Sequence, residues 1–276
     1  MKAALIVPNA HLEEFGQGDL HLLLAHLMSN KVYREHYQKQ RLHGAYLILD
    51  NSAHEYKEGI NAAKLLRQAM RVRAQEIVVP DVLDDGPATV ERAMQALEEW
   101  YEGDSAEDMH ELNPCLMYVP QGKDKEEYWL CIQELIDLHL YIAQRKNSRR
   151  DIVIGVSKDY QDLDGGLLEI LDIVKDLREN LWADKEIRMH CHLLGWSRNL
   201  WVYGEIAKKH SWIRSTDSCK PFQYAMHGMK LWPSEEPPPY PKRHRTDFHK
   251  AVLDKKQLKI AGHNCRVFAQ AAAGKL

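Results

Sequence analysis

Short apolar runs alternate along this chain with longer segments whose apolar residues recur at i, i+3 and i+4. Residues 3–7, 45–49, 76–80, 115–119, 152–156, 187–194 and 212–215 read as seven strands, and 229–232 as an eighth. Between them, 61–73, 88–101, 125–143, 167–180 and 200–209 read as amphipathic helices. Strand and helix in alternation is the pattern of parallel βαβ units.

Such a series can close as a barrel or open as a doubly wound sheet. No G-x-G-x-x-G follows the first strand and no G-x-x-x-x-G-K-[ST] occurs, so the common nucleotide signatures of the open sheet are missing. Polar residues instead stand just past the ends of many strands, which a barrel gathers at one mouth. The expectation is an α/β chain with a single (β/α)8 TIM-barrel-like catalytic domain over 1–232 and a Pro-rich connection over 233–241. A basic helical extension follows over 242–276, with helices near 247–258 and 264–273 packed on the barrel.

The 276 residues, 45% hydrophobic and 28% charged, suit one large globular domain and exclude fibrous and disordered classes. The most apolar stretches run about five residues, where about 20 are needed to cross a bilayer, so no membrane association is expected. Pro8-Asn9 and Glu13-Glu14 come too early for a signal peptide, and the N-terminus reads as a strand. Five cysteines without C-x-x-C spacing suggest neither a disulfide framework nor a zinc ribbon, and fit a reducing, cytoplasmic setting. Charge is uneven: residues 241–276 carry nine Lys or Arg against Asp247 and Asp254, which leaves −10 on the remainder of a chain of net charge −3. A basic segment beside an acidic body can steer a polyanion, although a solvated helix face has the same composition.

Three strand ends carry an aspartate: Asp50 after 45–49, Asp81 after 76–80 and Asp217 after 212–215. An ionised carboxylate at the end of a buried strand is costly without partners, so such positions are often catalytic. Turn capping explains any one of them; all three together are better explained by convergence on one barrel mouth. Asp84 and Asp85 read as caps of the helix that follows Gly86-Pro87. Gln121 ends Val119-Pro120-Gln121-Gly122, and Gly155 permits close approach of a ligand. His190 and His192 share one side of a strand, the spacing of some metal-dependent barrel hydrolases, and equally of a hydrogen-bonding pair. No G-x-S-x-G or H-E-x-x-H is present. Several carboxylates without these motifs suit glycosyl chemistry, one attacking the anomeric carbon while another handles protons.

Asp50-Asn51-Ser52-Ala53, Asp81, Val119-Pro120-Gln121-Gly122, Ile154-Gly155-Val156, Leu193-Leu194-Gly195 and Ser215-Thr216-Asp217-Ser218 occur in this order, each at a strand end. Over residues 45–228 this set resembles the queuine/archaeosine tRNA-guanine transglycosylases. The C-x-C-x-x-C and later His of their zinc site have no counterpart, since only Cys265 follows Cys219, and the chain is shorter than those enzymes. It is therefore most similar to the compact phage-type DNA-guanine transglycosylases.

The resemblance implies DNA and a free 7-deazaguanine base, preQ0, as substrates, no cofactor, and a host cytoplasm if the chain is phage-encoded. It implies Asp217 as nucleophile, Asp50 as general acid/base, Asp81 and Gln121 as readers of the base, and Gly155, Val156, Leu193, Leu194 and Gly195 as pocket lining. Val156 stands where the family commonly has a second Gly, and Asn51-Ser52-Ala53 where it has Ser-Gly-Gly. A flipped base needs apolar faces, for which Trp196, Phe222 and Tyr224 are candidates, and Lys220, Lys242, Arg243 and Arg245 are the candidate phosphate contacts. The alternatives are a tRNA substrate, a metal-dependent hydrolase, and a nucleic-acid-binding protein without chemistry.

Overall fold

The computed structural model describes residues 1–56, 58–146, 149–157, 166–185, 187–195, 200–233 and 248–276. Its strands are β1 (Lys2–Leu5), β2 (Leu20–Leu24), β3 (Tyr46–Asp50), β4 (Glu76–Val78), β5 (Cys115–Tyr118), β6 (Ile152–Ser157), β7 (Met189–Leu194) and β8 (Ile213–Ser218). The helices are α1 (Leu12–Phe15), α2 (Lys31–Leu42), α3 (Ala53–Tyr56), α4 (Ala62–Val72), α5 (Gly86–Tyr101), α6 (Ala106–Leu112), α7 (Lys125–Lys146), α8 (Gly166–Lys185), α9 (Leu200–Lys209), α10 (Lys220–Met226) and α11 (Lys255–Ala272). The eight strands form one parallel sheet in the order β1-β8-β7-β6-β5-β4-β3-β2. From β2 to β8 consecutive strands are neighbours, and β1 pairs with β8, which is the strand order of a TIM-barrel-like (β/α)8 fold.

The eighth strand is not where the pattern put it. Residues 229–232 form no strand: the Leu231 N–H goes to the Asn264 side chain at 2.8 Å rather than to a neighbouring strand. The missing strand is β2, whose five residues are all buried and show no alternation, so its leucines resemble a turn of helix. The strand ending in Asp50 is thus the third, that leading to Asp81 the fourth, and that carrying Asp217 the eighth. α2 also escaped the periodicity, because its buried face is Tyr33, His36, Tyr37 and Gln40, three of them aromatic or imidazole rings and one an amide. Among its described residues the tail holds one long helix, not two. Asp254 accepts from the N–H groups of Lys256 and Gln257 while Gln257 returns a bond to the Asp254 N–H, a capping box that starts α11. Of Asp84 and Asp85, only Asp85 caps α5, accepting from the Ala88 N–H at 3.0 Å.

The chain divides into two compact units, Leu23–His192, and Met1–Leu22 with Leu193–Leu276. In the larger, Leu47, Ile48, Leu49, Ile77, Met117, Val153 and Ile154 are buried on β3 to β6. Each such side chain contributes about 1.5–3 kcal/mol of transfer free energy. α5 packs on α4, α6 and α7, and α2 on β3 and α4. In the other unit β1 pairs with β8, setting Ala4 beside Asp217, and α11 packs on α9, α10 and β1. The proline-rich and basic residues 234–247 lie outside the described residues.

Candidate active site

In the larger unit one buried carboxylate ties together the residues that follow three successive strands. Asp81 Oδ1 accepts from Asn51 Nδ2 and its Oδ2 from Gln121 Nε2, both at 2.6 Å. Asn51 Nδ2 also donates to the Val79 carbonyl at 2.7 Å, and Gln121 Oε1 accepts from the Asp84 N–H at 3.3 Å. These outer bonds fix which way each amide faces, so both present N–H to the carboxylate. Burial pushes the Asp81 carboxyl up to about 6, and the two amide bonds pull against that rise by favouring the charged form. The loop over 58–60 is held alongside, with the Gly59 N–H on the Asp81 carbonyl at 2.9 Å and the Ile60 N–H on the Asn51 carbonyl at 3.1 Å. A Cβ on Gly59 would stand 2.8 Å from Pro80 Cα, which is why a side chain is excluded there.

Asp50, half-buried at the end of β3, is shaped by its own turn. Its Oδ2 accepts from the Ser52 N–H at 2.9 Å, and Asn51 Oδ1 accepts from the Ala53 N–H at 2.8 Å. Two successive turns of this kind lead into α3 and place Ser52 in the left-handed region at φ 62°, unusual for a residue with a Cβ. His26, two residues past β2, holds it there. Ser52 Oγ accepts the His26 N–H at 3.1 Å and lies 3.0 Å from His26 Nδ1, which is 3.9 Å from Glu55 Oε2. Turn capping and a site at Asp50 are therefore not rival explanations: the turn orients the carboxylate.

In the other unit Asp217 is buried near the end of β8, and its Oδ1 accepts the Gly195 N–H at 2.9 Å. Gly195 sits at φ 69°, which only glycine adopts freely, and its carbonyl accepts from the Tyr203 hydroxyl at 3.2 Å. Gly195 is thus held through its N–H by Asp217 and through its carbonyl by Tyr203. Leu193 is fully buried and Leu194 half-buried.

The structure brings Asp81, Gln121 and the Asp50-Asn51 pair together, and Asp217 with Gly195. The pairing Tyr118↔Ile154 carries Gly155 and Val156, both buried, alongside the residues that lead to Gln121. Lys220 is half-buried at the start of α10, its N–H on Ser218 Oγ at 3.0 Å. Phe222 and Tyr224, expected as faces for a base, are core residues of α10, Phe222 packing edge-on against Phe15. Trp196, Lys242, Arg243 and Arg245 lie outside the described residues. His192 is fully buried and His190 half-buried, and among the described residues no group of three or more His, Cys, Asp or Glu is placed to hold a metal ion.

Sequence reasoning assigned no role to Asn51 or His26. Asn51 carried a signal, a second polar residue after an apolar strand. His26 carried none once β2 had been overlooked. The sequence matches no protein-family model and no curated protein. The fold class, (β/α)8, is common among enzymes and by itself specifies no chemistry.

Proposed function

We propose that this protein is a DNA-guanine transglycosylase that replaces guanine in DNA with a 7-deazaguanine base, preQ0, through a covalent aspartyl-glycosyl intermediate. The observation that carries the reading is the Asp81–Gln121 pair. A carboxylate beside an amide N–H matches the guanine edge, in which N1–H and the 2-amino group donate and O6 accepts. Each Asp81 oxygen holds one amide bond and keeps acceptor capacity. Adenine offers an acceptor at N1 to the same carboxylate and is repelled. The 7-deazaguanines share the guanine edge, so one pocket serves the leaving and the entering base. The ordered strand-end motifs support the same reading.

The Asp217 carboxylate attacks C1′ of the target nucleotide as the bond from C1′ to N9 of guanine breaks, leaving a glycosyl ester. Asp50, beside the Asn51 that grips Asp81, supplies the proton that lets guanine depart. It then takes a proton from N9 of the entering base, which attacks C1′ and releases the Asp217 carboxylate. The missing N7 makes the new glycosidic bond harder to protonate and break, and this drives the exchange forward. The target base must leave the helical stack to be read by its edge, so single-stranded or readily opened DNA is the better substrate.

The test is base exchange in vitro: purified protein, labelled guanine or preQ0, and single-stranded DNA, duplex DNA and tRNA in parallel. Label incorporated into DNA, and absent with Asp217→Asn, is the expected result. Label entering only tRNA moves the assignment to the tRNA branch. No incorporation into any of the three overturns the transglycosylase reading.

A further inference from the structure

The unit that carries Asp217 also carries an exposed aromatic residue beside a stripe of positive charge. Trp232, 49% exposed, has its ring centroid 5.2 Å from that of His263 on α11, and Lys230 Nζ is 6.0 Å from the same indole. The segment is clamped to the helix. His263 Nε2 lies 3.0 Å from the Leu231 carbonyl, and buried Asn264 accepts the Leu231 N–H at 2.8 Å while donating to the Met229 carbonyl at 3.0 Å. Lys256, Lys259 and Arg266 are exposed on α11 and fall three to seven residues from His263, on the same side of the helix. No acidic residue occurs in α11.

A fixed, solvent-facing indole flanked by cations has little to offer the fold. Leaving half of the largest side chain in water forgoes burial, and like charges at helical spacing repel. The same arrangement is what a single nucleic-acid strand needs: a face on which a base stacks, and cations spaced along its phosphates. The chain also links it to the proposed chemistry. Asn264 Nδ2 donates at 3.0 Å to the carbonyl of Pro221, four residues beyond Asp217.

We infer that Trp232, His263 and the Lys256–Lys259–Arg266 stripe form a docking surface for single-stranded DNA, with an unstacked base on the indole and phosphates along α11. The choice of DNA rests on the base-exchange reading; the stacking and charge argument does not.

Fluorescence anisotropy with a labelled oligo-dT of about 20 nucleotides tests it at several salt concentrations. Trp232→Ala is expected to weaken binding about fivefold or more at every salt, and Trp232→Phe, which keeps a stacking face, to restore most of it. Lys256→Gln, Lys259→Gln and Arg266→Gln each lower the log–log salt slope by about 0.7. All four substituted positions are at the surface, and unchanged unfolding midpoints certify the variants. Wild-type affinity and slope in every variant, or no oligonucleotide binding by the wild type at low salt, overturns the inference. Base exchange on the same oligonucleotide keeps the two readings apart. Patch-dependent binding without exchange leaves the surface standing and removes the transglycosylase; exchange with binding indifferent to the patch does the reverse.

Discussion

Gln121 donates to one oxygen of Asp81 while the Asp84 N–H, three residues beyond Asp81, donates back to the Gln121 carbonyl oxygen, so the two loops lock each other in a closed circuit. The locking matters because a glutamine amide presents either N–H or oxygen after a half-turn, and a base reader needs one of the two. With its oxygen on the Asp84 N–H and an N–H on Asp81, the Gln121 amide has its facing fixed by the circuit. Asn51 closes a second circuit through the Val79 carbonyl.

The buried carboxyl at the centre of these circuits makes stability depend on pH in an uncommon direction. Asp81 has a folded value of about 6 against 3.8 for the free group, so between these values the folded protein holds a proton that the unfolded chain has lost. The contribution of Asp81 to stability is therefore full below about pH 4 and declines as pH rises through 6, by up to about 3 kcal/mol. Asp81→Asn abolishes this slope. In urea unfolding from pH 4 to pH 8, the stability of wild type relative to Asp81→Asn should fall across that window. A difference that stays flat argues against the raised value.

Ser52 gives a prediction in which stability and activity part. Its left-handed backbone suits glycine, so Ser52→Gly loses the hydroxyl but sheds the conformational cost, whereas Ser52→Ala loses the hydroxyl and keeps the cost. Ser52→Gly should unfold at higher urea than Ser52→Ala, by about 1 kcal/mol. Both break the link from His26 to the turn that orients Asp50. Both should lower kcat for base exchange by about tenfold and leave the KM for free base unchanged, because Asp81 and Gln121 are untouched. A rise in KM with kcat intact removes the positioning role from Ser52.

The strand ends were legible in the sequence because each pairs a buried apolar run with a polar residue that such a run does not need. Asp50, Asp81, Gln121 and Asp217 all fall within three residues of a strand terminus. What failed was local pattern without alternation. β2 is leucine-rich and buried throughout, so period 2 is absent, and losing it hid His26. α2 hides its inner face in tyrosine and histidine. The hydrogen bonds between Asn51, Asp81 and Gln121 span 30 and 40 residues of sequence, a relation that no local window holds.

Asn264 joins α11 to the segment after β8 from inside the core. It is fully buried, accepts from the Leu231 N–H and donates to the carbonyls of Pro221 and Met229. Asn264→Ala strands these groups and should cost about 3 kcal/mol. Asn264→Asp keeps the acceptor but sets a carboxylate against two carbonyls, so it should be the worse of the two at neutral pH. Denaturant midpoints of the three proteins give the order directly, and an aspartate variant as stable as wild type contradicts the donor assignment.

Asp217 separates architecture from chemistry. The carboxylate accepts the Gly195 N–H, a service that an asparagine oxygen performs equally well, and an amide is no nucleophile toward C1′. Asp217→Asn should therefore keep the wild-type unfolding midpoint and lose base exchange. Asp217→Ala should lose exchange as well and, with the Gly195 N–H unmatched, fall by about 1–2 kcal/mol. The pair of variants distinguishes a nucleophile from a structural carboxylate, because only the structural role predicts that activity follows stability. The nucleophile also predicts a covalent adduct. Wild type incubated with single-stranded DNA and no incoming base, then denatured, should carry DNA that migrates with the protein, and Asp217→Asn should carry none. Exchange activity surviving in Asp217→Asn would transfer the attack to another group, and Asp50 is the carboxylate to test next.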